Sequence, residues 1–460
     1  MKNNGISRRT FLSQGGSCLA AGSLLGSIGQ LGSLNAYAQD AGDYRALVCI
    51  LLAGGADSFN MLVPAGSAEY SEYASVRADI ALPQSTLLPL DGSTQNGKKL
   101  GLHPGLTELQ GLYSSGDIAW LANTGPLVEP TTPQALAQGS ARLPLGLYSH
   151  VDQIAHWQTG TPDRRIGSGW GGRMADLMQS TNTNPNISMS FSLSGRNLYQ
   201  AGVQTQQYSI NADEGGAPQL MGTGQDEPIP ARIKAIESMY NANYRNPMRR
   251  TYLKVFNGAL AANAEFSAAM TGVAGGSTVF PSDELGAAMN MITRTIAARD
   301  TLGMQRQSFL VVYGGWDHHD EVINAQSAML PSLSQNLAAF NSAMKEQGLA
   351  DQVTTFTTSD FGRTLTSNGR GSDHGWGGNH LIMGGAVNGG AVYGEYPDLA
   401  LNNPLDTGRG VLMPTTASDL YFAELAQWFG ISSSDLELVL PNLGRFYSVS
   451  SGQPPVGFIA

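Results

Sequence analysis

The stretch "SFLVVYGGWDHHDE", Ser308 to Glu321, opens on an apolar run, stops at two glycines, and passes at once into an Asp and two adjacent His. The run does not alternate apolar with polar residues, so it reads as a strand buried on both faces, as in a parallel sheet covered by helices. The same pattern recurs in "RALVCILLAGG" (45–55), "IAWLANTG" (118–125), "QVTTFTTSDFG" (352–362) and "LIMGGAV" (381–387). Helical patterns stand between these runs: "GLTELQGLYSSG" (105–116), "AMLPSLSQNLAAFNSAMKEQG" (328–348) and "SDLYFAELAQWFG" (418–430). Strands alternating with helices predict an α/β fold. The segment from about Asn197 to Glu284 is more polar, with helical stretches and the Gly-rich "TGVAGGSTVFPSD", and reads as a helical insertion in that body.

In an open α/β sheet, ligands bind outside the carboxyl ends of the strands. After "RALVCILLAGG" comes Asp57, and after "SFLVVYGG" come Asp317, His318 and His319. After "QVTTFTT" come Asp360 and Arg363, and the loop beyond carries Asp373, His374 and His380. Of seven His in the chain, four fall between positions 318 and 380. A lone Asp after a strand is ordinarily a helix N-cap, and a lone His a satisfied polar side chain. Recurrence at successive strand ends instead suggests a divalent cation site. Zinc, manganese or iron accepts such mixed nitrogen and oxygen ligands, whereas calcium asks for more oxygen. "YSHVDQIAHWQTG" (148–160) reads as a helix whose start holds Ser149 and His150. A helix start attracts anions, and a hydroxyl there could attack an ester. As a plain structural feature, Ser149 is an N-cap.

The N-terminus has another character. "SRRTFL" (7–12) is followed by a Gly- and Ser-rich apolar stretch without an acidic residue, ending in "AYA" before Gln39. This predicts a twin-arginine export signal over residues 1–38, hence the twin-arginine machinery as a partner and a periplasmic or secreted location in a bacterium. Cleavage after Ala38 leaves 422 of 460 residues and removes Lys2, Arg8 and Arg9, taking the net charge from −10 to −13. So acidic a chain is a poor partner for nucleic acid or anionic lipid, and no later run is long and apolar enough to span a bilayer. The mature chain keeps one Cys, Cys49, within an apolar run, so its stability must come from a core rather than from an internal disulfide. No Gly-Lys-Ser/Thr phosphate loop, CxxC pair or His-Glu-x-x-His helix occurs.

Taken together, "GGADSFNMLVP", "SHVDQIAHWQTG", "GGWDHH", "TSDFGRTLTSNG", "DHGWGGNHLIMGGAV" and "PTTASDLYFAELAQWFG" resemble the family called domain of unknown function 1501, from about Tyr44 to Phe446. The resemblance implies an alkaline-phosphatase-like, sulfatase-like fold: three layers, α/β/α, around a largely parallel sheet, as one domain over 39–460 with the insertion at about 197–284. It also implies roles. Asp57 would be a metal ligand, as would Asp317 with His318 or His319. A nucleophile would start the helix that ends in Thr159–Gly160, and Arg363 would hold an ester oxyanion, since a guanidinium fork suits phosphate or sulfate.

The sequence departs from that pattern in three places. Asp317 and His319 have one residue between them instead of three. Asp360 is followed by Phe361, and the Asp-His pair comes later, at Asp373–His374. The usual nucleophile offset lands on His150, one residue after Ser149. Two functional readings follow. One is an exported metal-dependent hydrolase acting on a small-molecule or glycan ester of phosphate or sulfate. The other is a catalytically degenerate member that binds a metal or ligand without turnover. A third reading makes the Asp and His groups structural, with the glycines serving tight turns. Within "WDHH", a two-residue offset along an extended chain turns His319 to the ion with Asp317, leaving His318 at the rim.

Overall fold

The computed structural model describes residues 44–91, 97–212, 216, 238–239, 242 and 244–460. The export signal expected over 1–38 and part of the expected insertion lie outside them.

The strands are β1 (Arg45–Leu52), β2 (Leu62–Pro64), β3 (Leu88–Pro89), β4 (Leu100–Leu102), β5 (Ile118–Gly125), β6 (Ser190–Ser192) and β7 (Tyr208–Ser209). They continue with β8 (Arg306–Tyr313), β9 (Val353–Ser359), β10 (Arg363–Ser367), β11 (Ser372–His374), β12 (Gly378–Met383), β13 (Val392–Tyr393) and β14 (Thr416–Ala417). Nine form the central sheet in the order β13-β5-β12-β9-β1-β8-β6-β7, with β14 also on β5. β1 pairs parallel with β8 and β9 along nearly its whole length. The exception to parallel pairing is β12, antiparallel to both β5 and β9. It therefore begins, at Gly378, at the same sheet edge where β1, β8 and β9 end. β10 and β11 form a separate antiparallel hairpin, with Arg363 opposite His374. β2, β4 and β3 form a small third sheet.

β1 shows why the sheet must be covered twice. Ala46, Val48, Ile50 and Leu52 belong to one apolar core and Leu47, Cys49 and Leu51 to another, as a period of two requires. The first core is closed by α1 (Ser67–Arg77), α2 (Thr107–Ser114), and the helices Glu284–Ala297 and Val322–Glu346. The second is closed by α3 (His150–Thr159), α4 (Trp170–Met178) and Ser418–Phe429. The result is a three-layer α/β/α arrangement. Each fully buried Leu, Ile or Phe contributes about 1.5–3 kcal/mol relative to exposure. Cys49 behaves as one more small apolar residue: burial pushes its thiol up to about 12, against a weak contact with Thr358.

In the expected insertion, two described pieces belong to the body. β7 extends the sheet edge beside β6, and the helix Pro247–Met270 buries Ala262, Phe266, Ala269 and Met270 in the first core. No helix among the described residues is long and apolar enough to cross a membrane.

Candidate metal centre

β1, β8 and β9 run parallel, so the segments after Leu52, Tyr313 and Ser359 emerge side by side. Gly54 and Gly55 turn the chain with φ of 121° and 83°. A Cβ on Gly54 would lie 2.4 Å from the Asp317 nitrogen. The glycine therefore lets the loop carrying Asp317 close over the end of β1. Gly54 also donates its N–H to Asp360 Oδ1 at 2.9 Å. α3 begins at the same place: Ser149 is its N-cap, its Oγ accepting from the Asp152 N–H, and Gly160 ends it in the left-handed region.

Three imidazoles converge on the Asp317 carboxylate. His150 Nε2 lies 3.5 Å from Oδ2, while His319 Nε2 and His374 Nε2 lie 3.1 and 3.5 Å from Oδ1. The last two nitrogens are 2.9 Å apart. One donor atom each from His150, Asp317 and His374 lies within 4.8 Å of the others. The opposite nitrogen of every ring is held by an acceptor: His150 Nδ1 by Asp360 Oδ2 at 2.6 Å, His319 Nδ1 by Asp373 Oδ1 at 3.2 Å, and His374 Nδ1 by the Tyr148 carbonyl at 2.7 Å. Tyr148 delivers that carbonyl from a left-handed conformation, φ 77°, rare for a bulky residue. The buried Phe361 ring lies 4.9 Å from the His150 ring and 4.4 Å from the His374 ring.

This arrangement fits a cation. An acceptor on Nδ1 fixes the proton there and leaves the Nε2 lone pair facing inward. Three lone pairs and a carboxylate facing one another repel unless a positive charge lies between them. Metal ligands are typically oriented by such outer hydrogen bonds. A tetrahedral site with nitrogen ligands near 2.0–2.1 Å has edges of about 3.3 Å; the three imidazole–carboxylate distances and the His319–His374 distance here run from 2.9 to 3.5 Å.

The charges around the donors are set by named partners. Burial pushes Asp317 up, but the Arg363 hydrogen bond and charge, with His319 and His150, outweigh it and hold the carboxyl below its ordinary value. Burial likewise opposes ionisation of Asp373, yet Asn368, Arg409 and His319 bring it down to about 2. Burial lowers His374, against the pull of the Tyr148 carbonyl.

Other candidate residues stand apart. Asp57 is fully buried; its Oδ2 takes Arg77 at 2.5 Å and the Ser372 hydroxyl at 2.7 Å, and its Oδ1 has no hydrogen-bond partner. Asp57 is thus committed to a buried ion pair that braces the β11 end of the hairpin. Arg363 is also buried, with its nitrogens on the carbonyls of Gly55, Ser372, Gly54 and Trp316 and on the Asp317 carboxylate. That guanidinium ties three loops together and is not turned outward to an ester. His318 is buried beside the Trp316 ring, not at the rim, and burial lowers its pKa. His380 sits in β12 against Trp157 and Tyr421, its pKa driven down to about 3 by burial. His156 contacts the Leu145 carbonyl at 2.7 Å, and His103 Nδ1 accepts from Gly105.

Sequence reading assigned His150 to nucleophilic chemistry and missed it as a donor beside Asp317. The signal was present: the family offset lands on His150, and a helix N-terminus at a strand-end cluster aims its first residues inward. Arg409, on Asp373, was missed altogether, because it lies 36 residues further on in a loop without a motif.

No curated protein matches the sequence. Remote similarity exists among solved structures. The PsFucS1 sulfatase from Pseudoalteromonas sp. aligns at 9% identity and TM-score 0.35, over 88% of this chain and 71% of that one. The C-terminal periplasmic domain of EcEptC from Escherichia coli gives 11% and 0.32, over 88% of each chain. The lipoteichoic acid synthase LtaP from Listeria monocytogenes gives 9% and 0.31, over 81% and 74%. At that distance, what the centre can do must be read from its own side chains. The family model for proteins of unknown function DUF1501 matches residues 44–439, and the chain belongs to that family.

Proposed function

We propose that this protein is a metal-dependent, hydrolase-like protein that holds one divalent ion between His150, Asp317, His319 and His374 and acts on phosphate or sulfate esters. The observation that carries the reading is the convergence of three Nε2 atoms on one carboxylate, each ring fixed from behind by an acceptor. Three imidazoles and one carboxylate favour zinc, iron or manganese over calcium. Such an ion polarises an ester oxygen and brings the pKa of water toward neutrality. The chain's own groups hold and orient the donors: Asp360, Asp373 and Tyr148 fix the rings, and Arg363 anchors Asp317. The side chains of Asp317 and His319 are 45% and 44% exposed, so the centre is open on one side to a substrate. Asp57 is paired with Arg77 and is not among these ligands.

A second reading, an ion held without turnover, is favoured by one observation: Ser149 caps α3 and Arg363 is buried, so neither a free hydroxyl nucleophile nor that oxyanion clamp is on offer. Assaying metal-loaded protein against generic phosphate and sulfate esters separates the two. Turnover that disappears in His374→Ala supports hydrolysis; a full complement of metal with no turnover on either ester class supports the second reading. Export is proposed from residues 7–38 alone, and recovery of a mature N-terminus at Gln39 outside the cytoplasm is its test.

A further inference from the structure

The loop after β13 reaches back over the metal centre. Asp406 shapes it: its Oδ1 accepts the N–H groups of Gly408 and Gly410, both at 2.8 Å, and its Oδ2 accepts that of Asn402. Between those glycines, Arg409 has a left-handed backbone, φ 59°, and its carbonyl is fixed by the Thr366 hydroxyl at 2.9 Å. A loop so constrained holds Arg409 in place. The side chain is 62% exposed, and one terminal nitrogen lies 2.5 Å from Asp373 Oδ2. An open cleft of about 550 Å³ is lined by Arg409 together with Tyr148, His319, Thr364, Asp373 and His374. The cleft therefore joins the exposed side of the donor cluster to one guanidinium.

The charge balance gives that guanidinium a purpose. Asp317 is paired with Arg363 and Asp373 with Arg409, while Asp360 meets the His150 ring, leaving one negative charge. A divalent ion turns that into one positive charge at an open mouth. Asp373 already accepts from Asn368 Nδ2 at 2.9 Å and His319 Nδ1 at 3.2 Å, so it keeps two partners when Arg409 turns away. Arg363 is enclosed by carbonyls, which leaves Arg409 as the guanidinium of this cleft that a ligand can reach.

Resting on the function proposed above, we infer that Arg409 is the residue that selects the substrate: it binds the oxyanion of a singly charged sulfate ester or phosphodiester whose bridging oxygen lies toward the His cluster. A planar guanidinium meets two such oxygens at once, and a charge-assisted contact of this kind contributes on the order of a tenfold gain in affinity.

The test is calorimetric titration of methyl sulfate and of dimethyl phosphate, each singly charged, into zinc-loaded wild-type, Arg409→Ala and Arg409→Lys proteins, with zinc content measured in each. The inference expects both anions to bind the wild type, at least tenfold weaker binding in R409A, partial recovery in R409K, and equal zinc content throughout. Anion affinity in R409A within twofold of wild type would overturn it, as would zinc-loaded wild type that binds neither anion. Loss of zinc in R409A would also overturn it, because Arg409 would then act on the ion through Asp373 and His319. A wild-type protein that holds no divalent ion would instead remove the proposed function, and this inference with it.

Discussion

His319 and His374 bring their Nε2 atoms to 2.9 Å of each other while their Nδ1 atoms are held by Asp373 and Tyr148. Removing either ring deletes one of the four proposed donors, so His319→Ala and His374→Ala should each lower zinc affinity with the circular dichroism spectrum unchanged. Asp373→Asn keeps the shape and loses the carboxylate that orients His319. By analogy with outer-sphere partners elsewhere, the expected drop is about 10–100-fold, read by competition with a metal indicator. The buried pair beneath the centre behaves differently. Arg77→Met strands the Asp57 charge, which has 0% side-chain exposure. Denaturant unfolding should show a loss of about 3–5 kcal/mol. Of these residues, the sequence displayed Asp317, His319, Asp373 and His374, because each follows a strand end or sits in the glycine-rich loop. It could not show that Asp57 meets Arg77: the partner lies 20 residues away on α1, and only folding brings them together.

At the scale of elements, Gly362 joins β9 to β10. A Cβ added there would lie 1.8 Å from the Gly377 carbonyl oxygen, so Gly362→Ala must push apart the loops that carry Asp360 and His374. It should cost about 3 kcal/mol, as overpacking does, and weaken metal binding as well. The helix Ser418–Phe429 carries Asp419 fully buried in its first turn. Burial drives the Asp419 carboxyl up to about 7, only partly opposed by its own backbone N–H and by the charge of Arg445. A raised carboxyl favours folding while protonated. That stability is complete below the ordinary carboxylate range and is lost as pH rises through about 7. Asp419→Asn should therefore match wild type in thermal unfolding at pH 4 and exceed it at pH 8, by about 2–4 kcal/mol. Equal stability at both pH values would contradict this account of the helix start. Most strands and helices were legible because apolar runs and glycine stops are local signals. The direction of β12 was not, since a strand buried on both faces reads the same whichever way it runs. The pairing of β10 with β11 was equally silent: it depends on Arg363 reaching carbonyls of Gly54 and Gly55, of Trp316 and of Ser372, in three separate segments.

At the scale of the whole molecule, the centre joins loops from three parallel strands, a helix N-terminus and a hairpin, so metal binding should stabilise the entire unit. With free zinc at 100 times its dissociation constant, binding adds about 2.7 kcal/mol. For a chain of this length that is a rise of about 3 °C in Tm, reversed by chelator and absent from His319→Ala. The N-terminal signal makes a separate prediction: replacing Arg8 and Arg9 by Lys should retain the unprocessed chain in the cytoplasm, as fractionation of cells would show. The central claim is that one divalent ion sits among His150, Asp317, His319 and His374. Elemental analysis of protein purified without chelator tests it most directly. The account predicts close to one equivalent of zinc, iron or manganese per chain in the wild type and near zero in His319→Ala and His374→Ala. A folded wild-type protein that carries no divalent metal and takes none up on addition would contradict it.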